Sequence, residues 1–359
     1  SPHLLRYNER VRIAGREATD AELVAAFEAV DAARGEVASG KAASGTIPLT
    51  YFEFGTLAAM RCFLDAGVDV IVLEVGLGGR LDAVNVWDAD AAVVTSVDFD
   101  HMDWLGDTLD KIAFEKAGVF RAGRPAICAM PEPPASLLEH ARNIAADLRV
   151  AGRDFTLAAD ETGTAARDFR ARSCAAPAGV ASDRAASDRG ALEVVWPALP
   201  PPALPGEFQW RNAAAALALL ASLSARLPVS ADAVRAGLAS ARVAGRFQTL
   251  GHAPEAFSGR QRHRYRPHER AVEKRLQFPA IALLTAATAE AVQQFARHHR
   301  REQHLIGPSH DVRRGGMAPL ERRVGIGVEQ DPHFQNSSSS RSNTAVAACM
   351  LRASSSDQV

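Results

Sequence analysis

The chain has 359 residues, of which 47% are hydrophobic, and its formal net charge at pH 7 is −1. This length suits about two domains with sizeable cores, and the balanced charge argues against a nucleic-acid partner. No apolar run reaches the roughly 18 residues of a membrane span, and no signal peptide opens the chain. The four cysteines lack metal-site spacing (Cys62, Cys128, Cys174, Cys349). Composition therefore predicts a soluble protein of the reducing cytoplasm, with neither a membrane nor a nucleic acid as partner.

Helix and strand patterns alternate in the first half of the chain. Continuous β-branched runs predict three buried strands, over residues 68–74, 91–97 and 125–130. Apolar residues at helical spacing predict helices over 54–64 and 107–120. Short buried strands separated by helices are typical of a parallel sheet that is covered on both faces. The predicted fold class is therefore α/β, with a mostly parallel sheet.

The apolar pattern weakens and then returns in the second half. Between about 158 and 205 it fades, which predicts a loop-rich insert in which 192–196 alone reads as a strand. Helices are predicted again over 209–223 and 230–240.

The last part of the chain differs in composition from the rest. Eight of the eleven histidines lie beyond Leu250, among many arginines and a serine tract. A basic arm for nucleic acid is one interpretation, but charges of both signs are mixed there and aromatic residues are scarce. We therefore predict a single domain over 1–250, followed by an aberrant, disordered region over 251–359.

The run over residues 73–85 is the most informative segment. Glu74 stands at the end of a predicted buried strand, and three glycines follow within five residues. Glycine lets a backbone approach a ligand closely or adopt a positive φ. Open α/β sheets place ligand sites at the C-terminal ends of their strands. The pattern predicts a ligand site at this sheet edge, which the loop over 98–106 shares.

Six segments carry a family resemblance. They read S-P-H-L at 1–4 with N-E-R at 8–10, L-T-Y-F-E-F at 49–54, E-V-G-L-G-G-R-L-D-A at 74–83, D-H-M-D-W-L-G at 100–106, E-K-A-G at 115–118 and G-R-F at 245–247. On these segments the chain resembles the bifunctional dihydrofolate synthase/folylpolyglutamate synthase group of the Mur-ligase superfamily. The match is nearly continuous over 1–150 and patchy over 205–250.

The resemblance implies a three-layer Mur-ligase-type central domain and an ATP-dependent ligase. Such an enzyme activates a carboxylate as an acyl phosphate and joins it to L-glutamate, giving dihydrofolate from dihydropteroate and polyglutamates from folates. Phosphoryl transfer depends mainly on positioning and charge neutralisation, and the implied cofactors are ATP and Mg²⁺. The implied partners are these small-molecule substrates, and the implied state is a monomer.

The resemblance also implies roles for individual residues. Lys116 matches a lysine that CO₂ converts to a carbamate, and it is implied to be catalytic together with Glu74 and His101. The implied metal ligands are Ser1, Glu74, His101 and carbamylated Lys116. The implied pterin contacts are Thr50, Phe52, Asp82 and Ala83. The implied nucleotide contacts are Asn212 and Arg246.

Each of these residues also has a plainer interpretation. A carboxylate at Glu74 can cap a loop, a histidine at His101 can be solvated, and Lys116 can face solvent on its helix. The remaining alternatives are an exposed terminal serine for Ser1, strand and core positions for Thr50 and Phe52, and an N-cap or early helix position for Asn212.

Two motifs of the family are missing from this sequence. No G-x-x-x-x-G-K-[ST] loop occurs in it, and no Asp-x-Ala-His-Asn-Pro signature follows Gln248. We therefore expect a sheet that is incomplete at its N-terminus, before an aberrant C-terminal region. Two rival functions stay open, a peptidoglycan Mur ligase and a non-catalytic truncated remnant.

Overall fold

The structure is a computed structural model that describes residues 3–39, 47–159, 165–172, 191–204, 206–242 and 345–346. Its helices are α1 (Asp20–Ser39), α2 (Tyr51–Ala66), α3 (Met102–Leu105), α4 (Leu109–Ala117), α5 (Ala135–Asn143), α6 (Phe208–Ser222) and α7 (Ala231–Ser240). Its strands are β1 (Arg12–Ile13), β2 (Arg16–Glu17), β3 (Ala92–Val94), β4 (Pro125–Cys128), β5 (Asp147–Val150), β6 (Phe155–Ala159), β7 (Arg167–Arg172), β8 (Leu192–Leu199) and β9 (Ala345–Val346). Two short 3-10 helices cover Tyr7–Arg10 and Ala83–Val86.

A parallel sheet lies at the centre of the fold. Its strand order is β5-β4-β3-β9, with β3, β4 and β5 parallel and the two-residue β9 antiparallel to β3. Successive residues of β3 point to opposite faces, so Ala92 and Val94 join one core cluster and Val93 joins the other. The predicted α/β class with a mostly parallel sheet is confirmed.

The two core clusters give the fold three layers. The first cluster packs α1, α2, α4 and α5 against one face of the sheet. The second packs α6 and α7, together with a three-stranded antiparallel sheet of order β6-β7-β8, against the other face. In α6 every residue from 212 to 221 is buried. Among the described residues, none of the helices has the length and apolar character needed to cross a bilayer.

The strand predicted over 68–74 is wrong. Residues 70–75 belong to no strand, although their side chains still alternate. Ile71, Leu73 and Val75 pack in the first core cluster, and Val70 and Val72 pack against the second. The apolar pattern thus sets the position of this segment between the layers. A β-strand also needs a hydrogen-bonded neighbouring strand, and the described residues supply none.

The predicted loop-rich insert contains more strand than the sequence pattern indicated. The strand predicted over 192–196 is confirmed as part of β8, and β7 is an addition. The pattern of β7 was hard to recognise because Phe169 and Ala171 are its two buried apolar residues and four charged residues surround them. Residues 160–164 and 173–190 of this insert lie outside the described residues, as do 243–359 apart from β9.

A buried carboxylate joins the two core clusters at the start of β3. Asp90 is 2% exposed, and its Oδ1 accepts hydrogen bonds from Arg124, before β4, and from Arg226, after α6. The Arg226 bond is 2.7 Å long and spans 136 residues of chain. Two guanidinium groups compensate for the loss of water around a buried charge.

Candidate functional site

The glycine-rich run folds into a loop whose shape is held by one carboxylate. We call residues 76–82 the glycine loop. Asp82 Oδ2 accepts from the backbone N–H groups of Gly76 and Leu77 at 3.0 and 2.9 Å, and Oδ1 accepts from that of Val84 at 2.9 Å. Burial raises the pKa of Asp82 to about 6. The predicted pterin residue Asp82 is thus engaged with backbone donors, and it caps the 3-10 helix that begins at Ala83.

Helix α2 brings an aromatic ring to this loop. Thr50 is the N-cap, where its hydroxyl accepts from Glu53 N–H while Glu53 accepts from Thr50 N–H, which forms a capping box. A Cβ on Gly76 would lie 2.7 Å from the Phe52 ring and 3.3 Å from Asp82 Oδ2. Phe52, Gly76 and Asp82 therefore converge, and the alternative that placed Thr50 in a strand is wrong.

The second loop of the sheet edge carries a strained histidine. His101 adopts φ 45° and ψ 42°, the left-handed region that side chains with a Cβ seldom enter, and it is the N-cap residue of α3. The preceding Asp100 is buried, its Oδ1 accepts from His101 N–H at 2.9 Å, and its Oδ2 lies 3.7 Å from His101 Nε2. Backbone strain of this kind is concentrated at functional sites.

The Lys116 side chain on α4 is fully buried, with 0% exposure. The alternative that placed it on a solvent-facing surface is therefore wrong. Burial lowers the pKa of Lys116 to about 8, and the nearby negative charge of Asp100 acts in the opposite direction. Lysine is almost never fully buried unless it is paired, and a buried lysine with a lowered pKa is a candidate reactive amine.

The glycine loop packs directly on the end of α4. Arg80 N–H donates to Glu115 O at 2.8 Å, and the Arg80 guanidinium pairs with the Glu115 carboxylate at 2.8 Å. A Cβ on Gly79 would lie 2.9 Å from Glu115 O and 3.0 Å from Lys116 O. Only glycine can lie this close to the end of α4, so Gly79 is the feature of the sequence that indicates the packing of the loop on the helix. The sequence motif also contains Arg80, but its partner could not be inferred from spacing.

The described side chains do not complete a metal site by themselves. Glu74 is half-buried before the glycine loop and His101 is partly buried in the neighbouring loop, while Ser1 lies outside the described residues. In the parts of the chain that the structure describes, no three His, Cys, Asp or Glu side chains gather in a way that could hold a metal ion. Lys116 has no carboxylate oxygen unless it is carbamylated, so the predicted ligand set fits a hard cation only in that form.

The structure describes one of the two predicted nucleotide contacts, Asn212, but not the other. Asn212 lies in the second turn of α6, where it is 6% exposed and donates from Nδ2 to Gln209 Oε1 at 3.2 Å. It is an early helix residue and not an N-cap. Arg246 lies outside the described residues.

Comparisons with known proteins agree on one group. Residues 35–220 match the family model of the Mur ligase middle domain. The chain is 41% identical over 258 residues to the dihydrofolate synthase/folylpolyglutamate synthase of Escherichia coli, which covers 72% of this chain and 52% of that protein. The Haemophilus influenzae protein of the same name is 48% identical over 154 residues, 43% of this chain and 32% of that protein. The chain thus spans about half the length of the E. coli relative, and its match to the H. influenzae relative covers less than half of that protein.

Solved structures of the same group of enzymes are also similar to this chain. E. coli FolC in complex with DHPP and ADP superposes with a TM-score of 0.54 at 39% identity, over 71% of this chain and 52% of that one. A bifunctional folylpolyglutamate synthase/dihydrofolate synthase with Mn, AMPPNP and L-glutamate bound gives a TM-score of 0.53 at 39% identity, over 70% and 52%.

Proposed function

The chain belongs to the Mur ligase middle-domain family, and on this premise we propose that it supplies the catalytic central part of an ATP-dependent ligase that adds L-glutamate to dihydropteroate and to folates. The reaction would pass through an acyl phosphate of the acceptor carboxylate. Support comes from the relatives, whose names state both activities and which share up to 48% identity with this chain.

The buried amine of Lys116 is the observation that carries the proposal. A pKa of about 8 leaves about one amine in ten neutral at pH 7, against about one in three thousand at the ordinary value of 10.5. The neutral amine attacks the carbon of dissolved CO₂, an N–C bond forms, and one amine proton leaves to solvent. The product is a carbamate, which changes a cation into an anion with two oxygen ligands.

The remaining residues of the site would bind and orient. Glu74 and His101, with Ser1 and carbamylated Lys116, would hold a divalent cation, which when bound supplies charge neutralisation for phosphoryl transfer. Phe52 offers an aromatic face to a flat pterin ring beside Gly76. Thr50, Asp82 and Ala83 would complete the pterin site, and Asn212 and Arg246 would contact the nucleotide.

The ligands of the similar structures support this assignment. One of those structures contains DHPP and ADP, and the other contains Mn, AMPPNP and L-glutamate. For the present chain we propose ATP, Mg²⁺ and the same classes of small molecule, bound to a monomer in the cytoplasm. The buried free thiols Cys62 and Cys128 suit that reducing compartment.

ADP release from the purified chain tests the proposal. We expect release that requires both dihydropteroate and L-glutamate, and that falls by at least about 100-fold in Glu74→Ala and His101→Ala. Arg61→Ala, which removes an exposed ion pair with Asp65, is the matched control and should leave the rate unchanged. Release with a peptidoglycan precursor in place of dihydropteroate would support the peptidoglycan branch instead. No substrate-dependent release from any form would contradict catalysis by this chain.

A further inference from the structure

Two carbonyl groups at the end of α4 are held by the glycine loop and by the segment that follows it. The last carbonyls of a helix have no partner within the helix. Here Glu115 O accepts from Arg80 N–H at 2.8 Å, and Gly118 O accepts from Asn85 Nδ2 at 3.0 Å. Lys116 lies between these two anchored carbonyls. Its backbone is therefore fixed to the neighbouring segment on both sides.

Arg121 closes this arrangement from the helix side. Its Nη2 donates to Asn85 O and to Asn85 Oδ1, both at 2.9 Å, and its Nη1 donates to Gly118 O at 3.2 Å. Its Nε pairs with Asp88 at 2.6 Å. Asn85, Gly118 and Arg121 thus bond to one another in a closed set, which we call the loop–helix clamp.

The loop–helix clamp continues into the glycine loop through Asp82. That carboxylate bonds to the N–H groups of Gly76 and Leu77 at one end and of Val84 at the other. Val84 adjoins Asn85 in the chain. A continuous set of hydrogen bonds therefore runs from a point two residues after Glu74 to the two carbonyls that flank Lys116.

The clamp is made of hydrogen bonds and one ion pair. Asn85 and Arg121 join the two segments through the bonds described above, and the Arg121 side chain is 21% exposed. Hydrogen bonds have directional geometry, so such contacts define a separation between two segments more sharply than apolar contact does.

We propose that Asn85 and Arg121 are positioning residues that keep Lys116 buried at a fixed separation from Glu74. This inference rests on the proposed function, in which Lys116 must be held in place to accept CO₂ and to join Glu74 at the metal. Neither residue touches the reacting atoms.

Competitive acetylation of the full chain tests this role. The sequence has four lysines (Lys41, Lys111, Lys116, Lys274), and mass spectrometry separates them. Lys111, on the same helix, has a side chain that is 63% exposed, and it serves as the internal reference. In the unaltered chain we expect acetic anhydride to label Lys116 at least about tenfold more slowly than Lys111, because burial blocks access.

Two variants open the clamp in different ways. Asn85→Asp keeps the oxygens that accept from Arg121 and loses the donor to Gly118 O, while Arg121→Ala removes the guanidinium. We expect each to raise the Lys116/Lys111 labelling ratio about tenfold. Arg61→Ala should leave the ratio unchanged. The thiol of Cys128, which is 0% exposed in β4, should stay unreactive in all of these proteins.

The thiol distinguishes positioning from general stability. If Lys116 and Cys128 become reactive together, the variants unfold the domain and the proposed role is overturned. A labelling ratio within about twofold of the unaltered value also overturns it. Carbamate formation with ¹³C-bicarbonate, followed by NMR, is a separate readout, and we expect it to fall in both variants. Its absence in the unaltered chain would contradict the proposed function, while the labelling ratio would still decide the role of the clamp.

Discussion

Helices α4 and α6 lie on opposite faces of the parallel sheet and are held in different ways. In α6, ten consecutive residues are buried, most of them alanine and leucine, and apolar contact fixes the helix. In α4 a lysine is buried, and hydrogen bonds from the glycine loop and from Asn85 hold the helix end. The comparison teaches that burial of apolar side chains in α6 stabilises the fold, whereas burial of the lysine amine in α4 lowers the free energy of unfolding.

The first prediction concerns the apolar layer. Leu219 is 0% exposed in α6, so Leu219→Ala leaves a cavity and should lower the free energy of unfolding by about 2–5 kcal/mol. Urea denaturation measures the change. Leu57→Ala on α2, where the side chain is 38% exposed, is the matched control and should cost less than about 1 kcal/mol. Equal losses would contradict the view that α6 depends on burial.

The second prediction concerns the amine of the other layer. The pKa of Lys116 is lowered to about 8 in the folded chain, against 10.5 unfolded. The unfolded chain therefore holds more protons between these values, and stability should rise with pH from about 8 to 10.5. At pH 7 in degassed buffer, Lys116→Met should raise the free energy of unfolding by up to about 3 kcal/mol and should remove that pH dependence.

The outcome of Lys116→Met sharpens the comparison directly. If the variant is more stable but forms no ¹³C carbamate, the buried amine lowers the free energy of unfolding and is needed for the modification. A less stable chain would show that the lysine is a structural part of the first core, and it would remove the contrast with α6.

The third prediction concerns the carboxylate of the glycine loop. Burial raises the pKa of Asp82 to about 6, against 3.8 when unfolded. The folded chain then holds the proton more tightly, so the contribution of Asp82 to stability should fall as pH rises from about 4 to 6, by up to about 3 kcal/mol. Urea denaturation at several pH values, compared with Asp82→Asn, isolates this contribution. An unchanged pH profile in Asp82→Asn would contradict it.

The fourth prediction concerns the approach of the glycine loop to α4. A Cβ at Gly79 would meet Glu115 O, Lys116 O and the Val119 side chain at 2.9–3.0 Å. Gly79→Ala should therefore cost about 1–3 kcal/mol. Gly35→Ala in α1, where a Cβ meets nothing within 4 Å, should stabilise the chain by up to about 1 kcal/mol. A harmless Gly79→Ala would show that the loop does not dock tightly on the helix.

Sequence reasoning succeeded where apolar burial sets the structure. The helix predicted over 209–223 agrees with α6 to within one residue at each end. It failed where a neighbour decides the outcome. The alternation over 70–75 was real, but a strand also needs a partner to pair with.

The candidate site shows the same division. The sequence pattern predicted that Glu74 and the loop over 98–106, which contains His101, share one edge of the sheet, and the family resemblance added Lys116 to the predicted site. The clamp had no such signal, since Asn85 and Gly118 are 33 residues apart and neither spacing nor composition links them. The left-handed backbone of His101 was also not predicted, although histidine enters this region more often than most residue types do.

The buried carboxylate of Asp90 has a consequence for synthesis of the chain. Its second arginine, Arg226, lies 136 residues further along. At the usual 5–20 residues per second, about 7–27 seconds separate the emergence of the two side chains from the ribosome. Arg124 follows Asp90 by 34 residues, so for most of that interval it alone can neutralise the charge, and α6 cannot yet cover the sheet. The nascent protein is therefore exposed at that face until α6 has been made, which marks a window for chaperone capture.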